Sequence, residues 1–382
     1  MKPLCLLVST LALLGCANPP LRGTGDLGLV VERAAGRVLL IETSQRTQIG
    51  RIDGLGDLSH ASVVFSRDGR YGYVFGRDGG LSKVDLLRAR IEHRVIQSGN
   101  AIGGAISQDG RLIAVANYTP GGIRIFDAAT LAPLSEVPTG SKVVGIADAP
   151  GNRFVFSLFD AGEIWIVDAS DPRHPEVRKL KGVGKQPYDG FVTPDGRHYL
   201  AGLYGEDGLA LVDLWKPEGG ATRILDGYGR GEEPLPVFKM PHLRGWASAG
   251  RYLFLPAIGR HEILVLDRVT WTEAARIPVH GQPVFAVAEP GGRRVWINFA
   301  FPRNDTVQVV DVASMQVIKA LLPGRSVLHL EFTPRGEQAW ISSRDDDAVV
   351  VYDTASFAET ARLHAEKPSG IFLTSRAAMT GF

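Results

Sequence analysis

Histidine is the residue type in this chain that is best suited to acid–base work or metal ligation. The sequence contains nine histidines but no HExxH or HxH spacing, so no metal site built by the protein alone is expected. His60 differs from the others because it comes directly before the apolar run 61–65. We therefore expect His60 to lie at the start of a strand, beside the channel of the repeat fold described below.

Two arginines offer a second kind of chemistry. Arg33 and Arg77 fall at hairpin tips in the first two repeat units. A guanidinium there is solvated by default, but two of them that face one channel suit a ligand with several carboxylates, because the planar fork binds carboxylate in a bidentate manner. No nucleophile elbow, Ser-His-Asp order, P-loop or dinucleotide-binding glycine motif is present in the sequence. The corresponding hydrolase, kinase and dehydrogenase activities are not expected.

The elements that position these residues belong to an internal repeat of about 42 residues. Turn glycines that precede a strand recur at Gly69, Gly110, Gly151, Gly196, Gly250, Gly292 and Gly336. Apolar strands that end in an acid recur in step with them, at Glu42, Asp85, Asp127, Asp168, Asp213, Asp267, Asp311 and Asp353. Each unit holds two or three β-rich runs between turns, which is typical of one propeller blade.

Eight such units fit between residue 25 and the end of the chain, so the sequence predicts an all-β, eight-bladed β-propeller over residues 25–382. The first strand is expected to pair with the last blade and close the ring. A large β-sandwich or two β domains is the alternative, and eight copies in phase disfavour it. The long spacing between Gly196 and Gly250 predicts an inserted loop around residues 227–234.

Composition supports this interpretation and limits the function. The 382 residues include 45 Gly and 23 Pro without a collagen-like period, which indicates many turns. Lys and Arg total 42 against 41 Asp and Glu, a formal net charge of +1. Neither nucleic acid nor an acidic lipid surface is therefore expected as an electrostatic partner.

Both cysteines lie near the N-terminus. Residues 4–14 form a short apolar run after a basic start, and residues 13–16 (Leu-Leu-Gly-Cys) resemble a bacterial lipobox. This predicts a signal peptide over residues 1–15, cleavage before Cys16, lipid on the Cys16 thiol and a short linker over residues 16–24. A secretory signal cut slightly later, or an uncleaved anchor, remains the alternative.

A lipobox places the mature protein in the periplasm, tethered to a membrane through Cys16, and Ala17 after it favours the outer membrane. No cysteine follows Cys16. Disulfides, thiolate metal sites, cysteine nucleophiles and a covalent CxxCH heme site are therefore excluded from the body of the protein.

Beyond these patterns, the chain resembles the d1-heme domain family of cytochrome cd1 nitrite reductase over about residues 25–380. The resemblance lies in several motifs that occur in the family's order. They are residues 32–37, 59–71, 74–78, 84–86, 117–120, 241–245 and 367–372. Within the family the chain is similar to members that serve heme d1 biosynthesis and have no cytochrome c part.

The resemblance implies roles for particular residues. His60 would ligate the iron of heme d1 or of its dihydro-heme d1 precursor, bound non-covalently, and Arg33 and Arg77 would hold its carboxylates. His242 would lie over the distal face. The reductase's other distal histidine is replaced by Tyr188 or Asp189, which argues against nitrite reduction and leaves these residues as candidates for moving protons. Further pocket residues implied by the family motifs are Asn117, Tyr118, Arg244, Phe301 and His329.

Three functions follow from the resemblance and stay open at this point. The protein is an enzyme that modifies a side chain or the ring of a late heme d1 precursor for denitrification, and dehydrogenation there needs an external electron acceptor. Alternatively, it is a carrier or chaperone that delivers heme d1 to cytochrome cd1 nitrite reductase. The third hypothesis is that the protein is a propeller scaffold for protein assembly that binds no tetrapyrrole. The expected partners are the heme d1 precursor, the reductase and other heme d1 maturation proteins, with membrane contact only through the lipid anchor.

Overall fold

Each repeat unit of the sequence forms one four-stranded antiparallel sheet. The computed structural model describes residues 23–228, 245–257, 260–379 and 381, and within these ranges the chain forms eight such sheets. They are the blades of a β-propeller, so the predicted eight-bladed, all-β fold is confirmed. Helical structure in these ranges is limited to three short 3-10 segments, Pro217–Gly219, Arg344–Asp346 and Thr374–Ala378. No helix in the described part of the chain is long and apolar enough to cross a membrane.

Blades 1 to 4 come from the first half of the chain, and blade 1 also takes the last strand. Blade 1 consists of β1 (Leu27–Glu32), β2 (Arg37–Glu42), β3 (Thr47–Ile52) and the closing β32 (Pro368–Leu373), and blade 2 of β4 (Ser62–Phe65), β5 (Tyr71–Phe75), β6 (Gly80–Asp85) and β7 (Arg90–Ile96). Blade 3 consists of β8 (Asn100–Ile106), β9 (Leu112–Thr119), β10 (Ile123–Asp127) and β11 (Pro133–Val137), and blade 4 of β12 (Val143–Ala149), β13 (Arg153–Leu158), β14 (Glu163–Asp168) and β15 (Glu176–Leu180).

Blades 5 to 8 follow in the same order. Blade 5 consists of β16 (Pro187–Val192), β17 (His198–Leu203), β18 (Leu209–Asp213) and β19 (Ala221–Ile224), and blade 6 of β20 (Ala247–Ala249), β21 (Tyr252–Ala257), β22 (Glu262–Asp267) and β23 (Thr272–Pro278). Blade 7 consists of β24 (Pro283–Ala288), β25 (Arg294–Phe299), β26 (Val307–Asp311) and β27 (Gln316–Leu321), and blade 8 of β28 (Val327–Phe332), β29 (Gln338–Ser343), β30 (Ala348–Asp353) and β31 (Glu359–His364).

The first strand of each of blades 2 to 8, and β32 in blade 1, is the innermost strand. Innermost strands of successive blades lie against each other around a central channel, for example β4 against β8, β12 against β16 and β28 against β32. Apolar side chains pack between neighbouring blades. Val30, Trp340 and Ile371, for instance, are buried together between blades 8 and 1. The fourth strands lie outermost and carry many exposed residues.

The two sequence series meet at the same end of each blade. All seven turn glycines have a positive φ, between 56° and 80°, in the left-handed region that a side chain makes costly. The acid at the end of the third strand caps the next turn, as where Trp215 N donates to Asp213 Oδ1 at 2.9 Å. In three of the described blades the arginine after the turn glycine pairs with that acid: Arg70 with Asp85 at 2.9 Å, Arg197 with Asp213 at 2.8 Å and Arg251 with Asp267 at 2.5 Å.

The ring closes by pairing the two ends of the chain. β1 pairs antiparallel with β32, with Gly28 opposite Leu373 and Val30 opposite Ile371. The Thr374 hydroxyl donates to the Leu27 carbonyl at 2.9 Å beside this pair. The expected pairing of the first strand with the end of the chain is therefore observed, and it makes blade 1 a composite of both termini.

Candidate functional site

The central channel widens at one end into a cavity of about 540 Å³. It lies at the end where the innermost strands begin, because most lining residues come from those strand starts. Those residues include Ala61, Ile102, Val144, Gly145, Tyr188, Phe285, His329 and Gly370. Loops that join second to third strands contribute Arg33, Phe301, Asn304 and Arg344. The strand starts and these loops meet at one end of the propeller because neighbouring strands are antiparallel.

β-Bulges near the starts of the innermost strands change the direction of side chains at the cavity end. In six of the eight blades the pairing between the innermost strand and its neighbour shifts register near the start of the innermost strand. A bulge adds a residue to one strand and re-aims its side chains. Buried polar groups support two of these bulges: Phe285 N donates to Asn298 Oδ1 at 2.9 Å, and His329 N donates to Ser342 Oγ at 2.9 Å.

His60 lies on the cavity wall, in the segment that leads into β4. The backbone of the preceding residue, Ser59, makes two hydrogen bonds: its N–H donates to Asp57 Oδ1 at 2.8 Å, and its carbonyl accepts from the Arg33 guanidinium at 2.6 Å. The imidazole is half-buried. The two predicted residues His60 and Arg33 therefore lie together, and Arg33 also fixes the backbone that carries His60.

The arginines at this end of the channel repel one another. Burial lowers the pKa of Arg33, the positive charge of Arg344 lowers it further, and the Asp57 carboxylate acts in the opposite sense. Among the described acids none lies within ion-pair distance of the Arg33 guanidinium. Arg344 pairs with Asp345 at 2.9 Å, and this pairing, with the Ser326 hydroxyl, lowers the pKa of Asp345 to about 2. An anionic ligand group beside Arg33 relieves the repulsion.

His329 lies on the cavity wall in blade 8, which is separated from the blade of His60 by blade 1 alone. Its Nδ1 accepts the backbone N–H of Ile371 at 3.2 Å, so the neutral ring carries its proton on Nε2. The ring packs between Phe285 and Phe372, with centroid distances of 5.8 and 5.5 Å. These contacts fix the orientation of the imidazole, and His329 lines the cavity as the sequence predicted.

A cluster of aromatic residues from blades 3 to 5 reaches the cavity wall at Tyr188. Tyr188, in the bulged start of β16, lines the cavity. Its hydroxyl lies 3.3 Å from that of Tyr118, and Phe159 packs edge-on against it at a centroid distance of 5.7 Å. Phe301, at the cavity edge in blade 7, is 68% exposed. Tyr188 and Phe301 thus lie at the cavity, while Tyr118 contacts it through Tyr188.

Besides Tyr118, two predicted pocket residues, Arg77 and Asn117, are not among those that line the cavity. Arg77 occupies the β5–β6 loop, and its backbone N–H donates to the Asp57 carbonyl at 2.8 Å. Asn117 is buried in β9, where its Oδ1 accepts from Gln97 Nε2 at 2.8 Å and from Ser98 Oγ at 2.5 Å. The Asn117 side chain therefore stabilises its own blade by hydrogen bonds to the loop that precedes that blade. Arg77 lies one loop away from Arg33, on the same end of the propeller.

Several predicted residues fall where the structure is not described. Cys16, His242 and Arg244 lie outside the described residues, as does most of the loop predicted around residues 227–234. Asp189 belongs to β16, but its side chain is outside the description. The roles assigned to these residues remain predictions.

The sequence interpretation missed Arg344 and Phe285, although a signal existed for each. Arg344 follows its blade's turn glycine, Gly336, by the same interval that separates Arg77 from Gly69. The pair Gln282-Pro283 repeats Gln186-Pro187 at the start of an innermost strand, which places Phe285 at a bulge like that of β16. Asn298 and Ser342 had no such signal, because their role depends on contacts between blades.

The arrangement suits a planar ligand that brings its own metal. In the described residues no three histidine, cysteine, aspartate or glutamate side chains lie together as a metal site. The cavity instead offers single imidazoles, aromatic faces and guanidinium groups. Its volume is within the usual range for a small-molecule or cofactor site. A tetrapyrrole with acidic side chains fits this set of residues: an imidazole for the iron, aromatic rings for the faces and arginines for the carboxylates.

Comparison with known proteins identifies the class. Residues 22–377 match the family model "Cytochrome D1 heme domain". A solved complex of the dihydro-heme d1 dehydrogenase NirN with the ligand DHE superposes with a TM-score of 0.82 at 26% sequence identity, over 95% of this chain and 78% of that one. The fold and the cavity therefore define a propeller of the cytochrome d1 heme domain class.

Two relatives identify the family within this class. The dihydro-heme d1 dehydrogenase of Pseudomonas aeruginosa is 30% identical over 90% of this chain and 70% of its own. Protein NirF of Stutzerimonas stutzeri is 56% identical over the full length of both chains. The chain belongs to the NirF family.

Proposed function

We propose that this protein binds heme d1 or its dihydro-heme d1 precursor in the cavity, non-covalently, as a step of heme d1 biosynthesis for denitrification. The observation that carries the proposal is the cavity in which His60, the aromatic wall and the Arg33–Arg344 pair converge. Membership of a family whose model is a heme d1 domain supports it. So does the solved NirN complex, which has the same fold.

Within this proposal His60 ligates the iron, and Arg33 and Arg77 bind carboxylates of the macrocycle. Tyr118, Phe301 and His329 contact the ligand from the wall and the edge of the cavity, and Asn117 and Arg244 complete the set that the family motifs imply. When bound, heme d1 or its precursor supplies the iron and the conjugated ring to be modified. The protein's own work is to orient that ring, exclude water from its faces and present proton donors.

We further propose that the protein carries out or assists a late side-chain or ring modification. His242, Tyr188 and Asp189 are the proposed proton carriers. Tyr188 is suited to this because its hydroxyl lies 3.3 Å from the Tyr118 hydroxyl, in a wall of the cavity. The departure from the two distal histidines of the reductase argues against nitrite reduction by this chain.

A second candidate function is that of a carrier that delivers heme d1 to cytochrome cd1 nitrite reductase. It is favoured by the absence of any cysteine after Cys16, so the sequence has no CxxCH motif for a covalent heme that accepts electrons. The same cavity serves both functions. Both place the protein in the periplasm on a lipid anchor at Cys16, near the reductase and other maturation proteins.

An anaerobic titration tests the proposal and separates its two forms. The Cys16→Ala protein is titrated with heme d1 and with dihydro-heme d1 while the visible spectrum is recorded, and the macrocycle is then recovered for mass analysis with and without an added electron acceptor. Saturable binding is the expected result. Binding with a changed mass makes the protein an enzyme, whereas binding with an unchanged mass, even with the added electron acceptor, favours a carrier. Failure of both compounds to bind would overturn the proposal.

A further inference from the structure

One position recurs in seven of the eight blades, as far as the structure describes them, at the end of the propeller that holds the cavity. It comes eight residues after the glycine of the blade's first turn, within two residues of the end of the second strand. In five blades its backbone N–H donates to the segment that precedes the innermost strand. These bonds are Arg77 to Asp57, Phe159 to Lys142, Tyr204 to Gln186, Ala300 to Gln282 and Arg344 to Ser326, at 2.8 to 3.1 Å.

We call this set the rim. Its described members, in blades 1 to 5, 7 and 8, are Arg33, Arg77, Tyr118, Phe159, Tyr204, Ala300 and Arg344. Arg33 belongs to it because Glu32, the residue before it, pairs with Pro368 at the start of the innermost strand, as Ser343 before Arg344 pairs with Val327. The equivalent sequence position of blade 6, Ile258, lies outside the described residues.

The rim is divided by residue type. Three consecutive blades, 8, 1 and 2, carry arginine, and the next three, 3, 4 and 5, carry an aromatic residue. All six side chains are half-buried. We call the first group the arginine sector (Arg344, Arg33, Arg77) and the second the aromatic sector (Tyr118, Phe159, Tyr204). Such a division by residue type does not follow from the blade fold itself, since the same backbone hydrogen bond is made by members of both sectors, Arg77 and Arg344 in one and Phe159 and Tyr204 in the other.

The arginine sector faces a small number of acids. The Asp57 carboxylate interacts with both Arg33 and Arg77, and Asp345 pairs with Arg344. The nearby Asp78 is already paired with Arg94 at 2.7 Å. Three guanidinium groups thus face two carboxylates, and two of those guanidinium groups, Arg33 and Arg344, repel each other at the cavity wall.

The aromatic sector is continuous with the cavity wall through Tyr188. Phe159 contacts Tyr188 and also Tyr204, with ring centroids 5.7 and 6.0 Å apart. Tyr118 reaches Tyr188 through the two hydroxyl groups. The sector therefore backs the cavity wall at Tyr188, whereas two members of the arginine sector, Arg33 and Arg344, line the cavity directly.

We infer that the two sectors fix the in-plane orientation of an amphiphilic planar ligand: its carboxylate-bearing edge lies on the arginine sector and its uncharged edge on the aromatic sector. Arg344, Phe159 and Tyr204 are then binding residues in addition to those predicted from the sequence. The identity of the ligand as a heme d1 precursor rests on the proposed function. The division of the mouth does not.

The test compares charged and uncharged forms of one macrocycle. Coproporphyrin III and its tetramethyl ester serve as iron-free probes, with fluorescence as the readout, and dihydro-heme d1 is titrated in parallel. The variants are Arg344→Gln for the arginine sector and Phe159→Leu for the aromatic sector. Arg325→Gln is the matched control, because Arg325 also pairs with an acid of the same loop, Asp346, but is exposed and lies off the rim. It removes the same charge from the same blade.

Arg344→Gln is expected to weaken binding of the free acid about 10-fold, since a charge-assisted hydrogen bond is lost, and to leave binding of the ester unchanged. Phe159→Leu is expected to weaken both forms by a similar factor of about 3 to 10. Arg325→Gln should change neither. Equal effects of Arg344→Gln and Arg325→Gln on the acid, or equal effects of Arg344→Gln on acid and ester, would overturn the inference.

The outcomes for the inference and for the proposed function are separable. If coproporphyrin III shows the expected dependence on Arg344 but dihydro-heme d1 does not bind, the sector assignment stands and the proposed function fails. If dihydro-heme d1 binds with no dependence on Arg344 or Phe159, the proposed function stands and the sector assignment fails. If neither macrocycle binds, both are wrong.

Discussion

At the scale of single residues, His60 is the side chain on which the proposed function most depends. Its backbone is anchored by the Arg33 guanidinium, which donates to the Ser59 carbonyl, and by the Ser59–Asp57 hydrogen bond. An imidazole held by its own backbone on a cavity wall is pre-positioned to ligate an iron that arrives with a ligand. Its removal should cost the ligation without a large cost to the fold, because the ring is only half-buried.

We expect His60→Ala to abolish the spectral change that accompanies binding of heme d1 or dihydro-heme d1, while far-ultraviolet circular dichroism stays that of the wild type. The measurement is the Soret region of the anaerobic titration. His93→Ala is the control, because His93 is an exposed histidine on the outermost strand β7. A Soret band in His60→Ala that matches the wild type would show that another group ligates the iron.

At the scale of the elements, the sequence was most informative where the backbone itself restricts the residue type. Each turn glycine has a positive φ, so a local steric rule selects it, and each strand-ending acid caps a turn two or three residues away. Both requirements are local, which is why the repeat and the eight blades were predictable.

The cavity wall was less predictable because it depends on contacts between blades. Arg33 and His60 were singled out from their positions in the repeat and His329 through the family resemblance, and all three line the cavity. Asn298 lies on the same wall but links the bulge of β24 to the start of β28, a relation that no local pattern encodes. Asn117 shows the converse, since its polar side chain is used within a buried network and does not line the cavity.

The turn glycines give a direct test of the element-scale argument. Gly250 has a φ of 56°, and a Cβ added there would meet nothing within 4 Å, so only the backbone conformation opposes a side chain. We expect Gly250→Ala to lower the free energy of unfolding by about 1–2 kcal/mol, the cost of placing an L-residue in the left-handed region. The measurement is the shift of the midpoint in chemical denaturation.

Gly219→Ala is the matched control. A Cβ at Gly219 also meets nothing within 4 Å, but Gly219 is not in the left-handed region. Its substitution should leave stability unchanged or slightly higher, because alanine restricts the unfolded chain. If both variants lost the same stability, the conformational explanation for the turn glycine would be wrong.

At the scale of the whole molecule, the cavity and the start of the described chain lie at opposite ends of the propeller. The cavity is at the end where innermost strands begin. Thr24 donates from its hydroxyl to the Asp68 carbonyl at 2.9 Å, in the turn where the innermost strand of blade 2 ends. The described chain therefore begins at the end of the propeller away from the mouth of the cavity. Tethering at Cys16 is therefore compatible with access of a tetrapyrrole and of a protein partner to the rim.

The lipid anchor makes a prediction at this scale. We expect Cys16→Ala to move the exported protein from the membrane fraction to the soluble periplasmic fraction, because the thiol that would carry lipid is absent. Ligand affinity should stay unchanged, because the described chain begins at the end of the propeller away from the cavity. Cell fractionation with immunodetection measures the first effect, and the anaerobic titration measures the second. Cys5→Ala is the control, since Cys5 lies inside the proposed signal peptide and its loss should leave the protein in the membrane fraction. Retention of Cys16→Ala in the membrane at the wild-type level would mean that an uncleaved N-terminal segment, and not a lipid, holds the protein there.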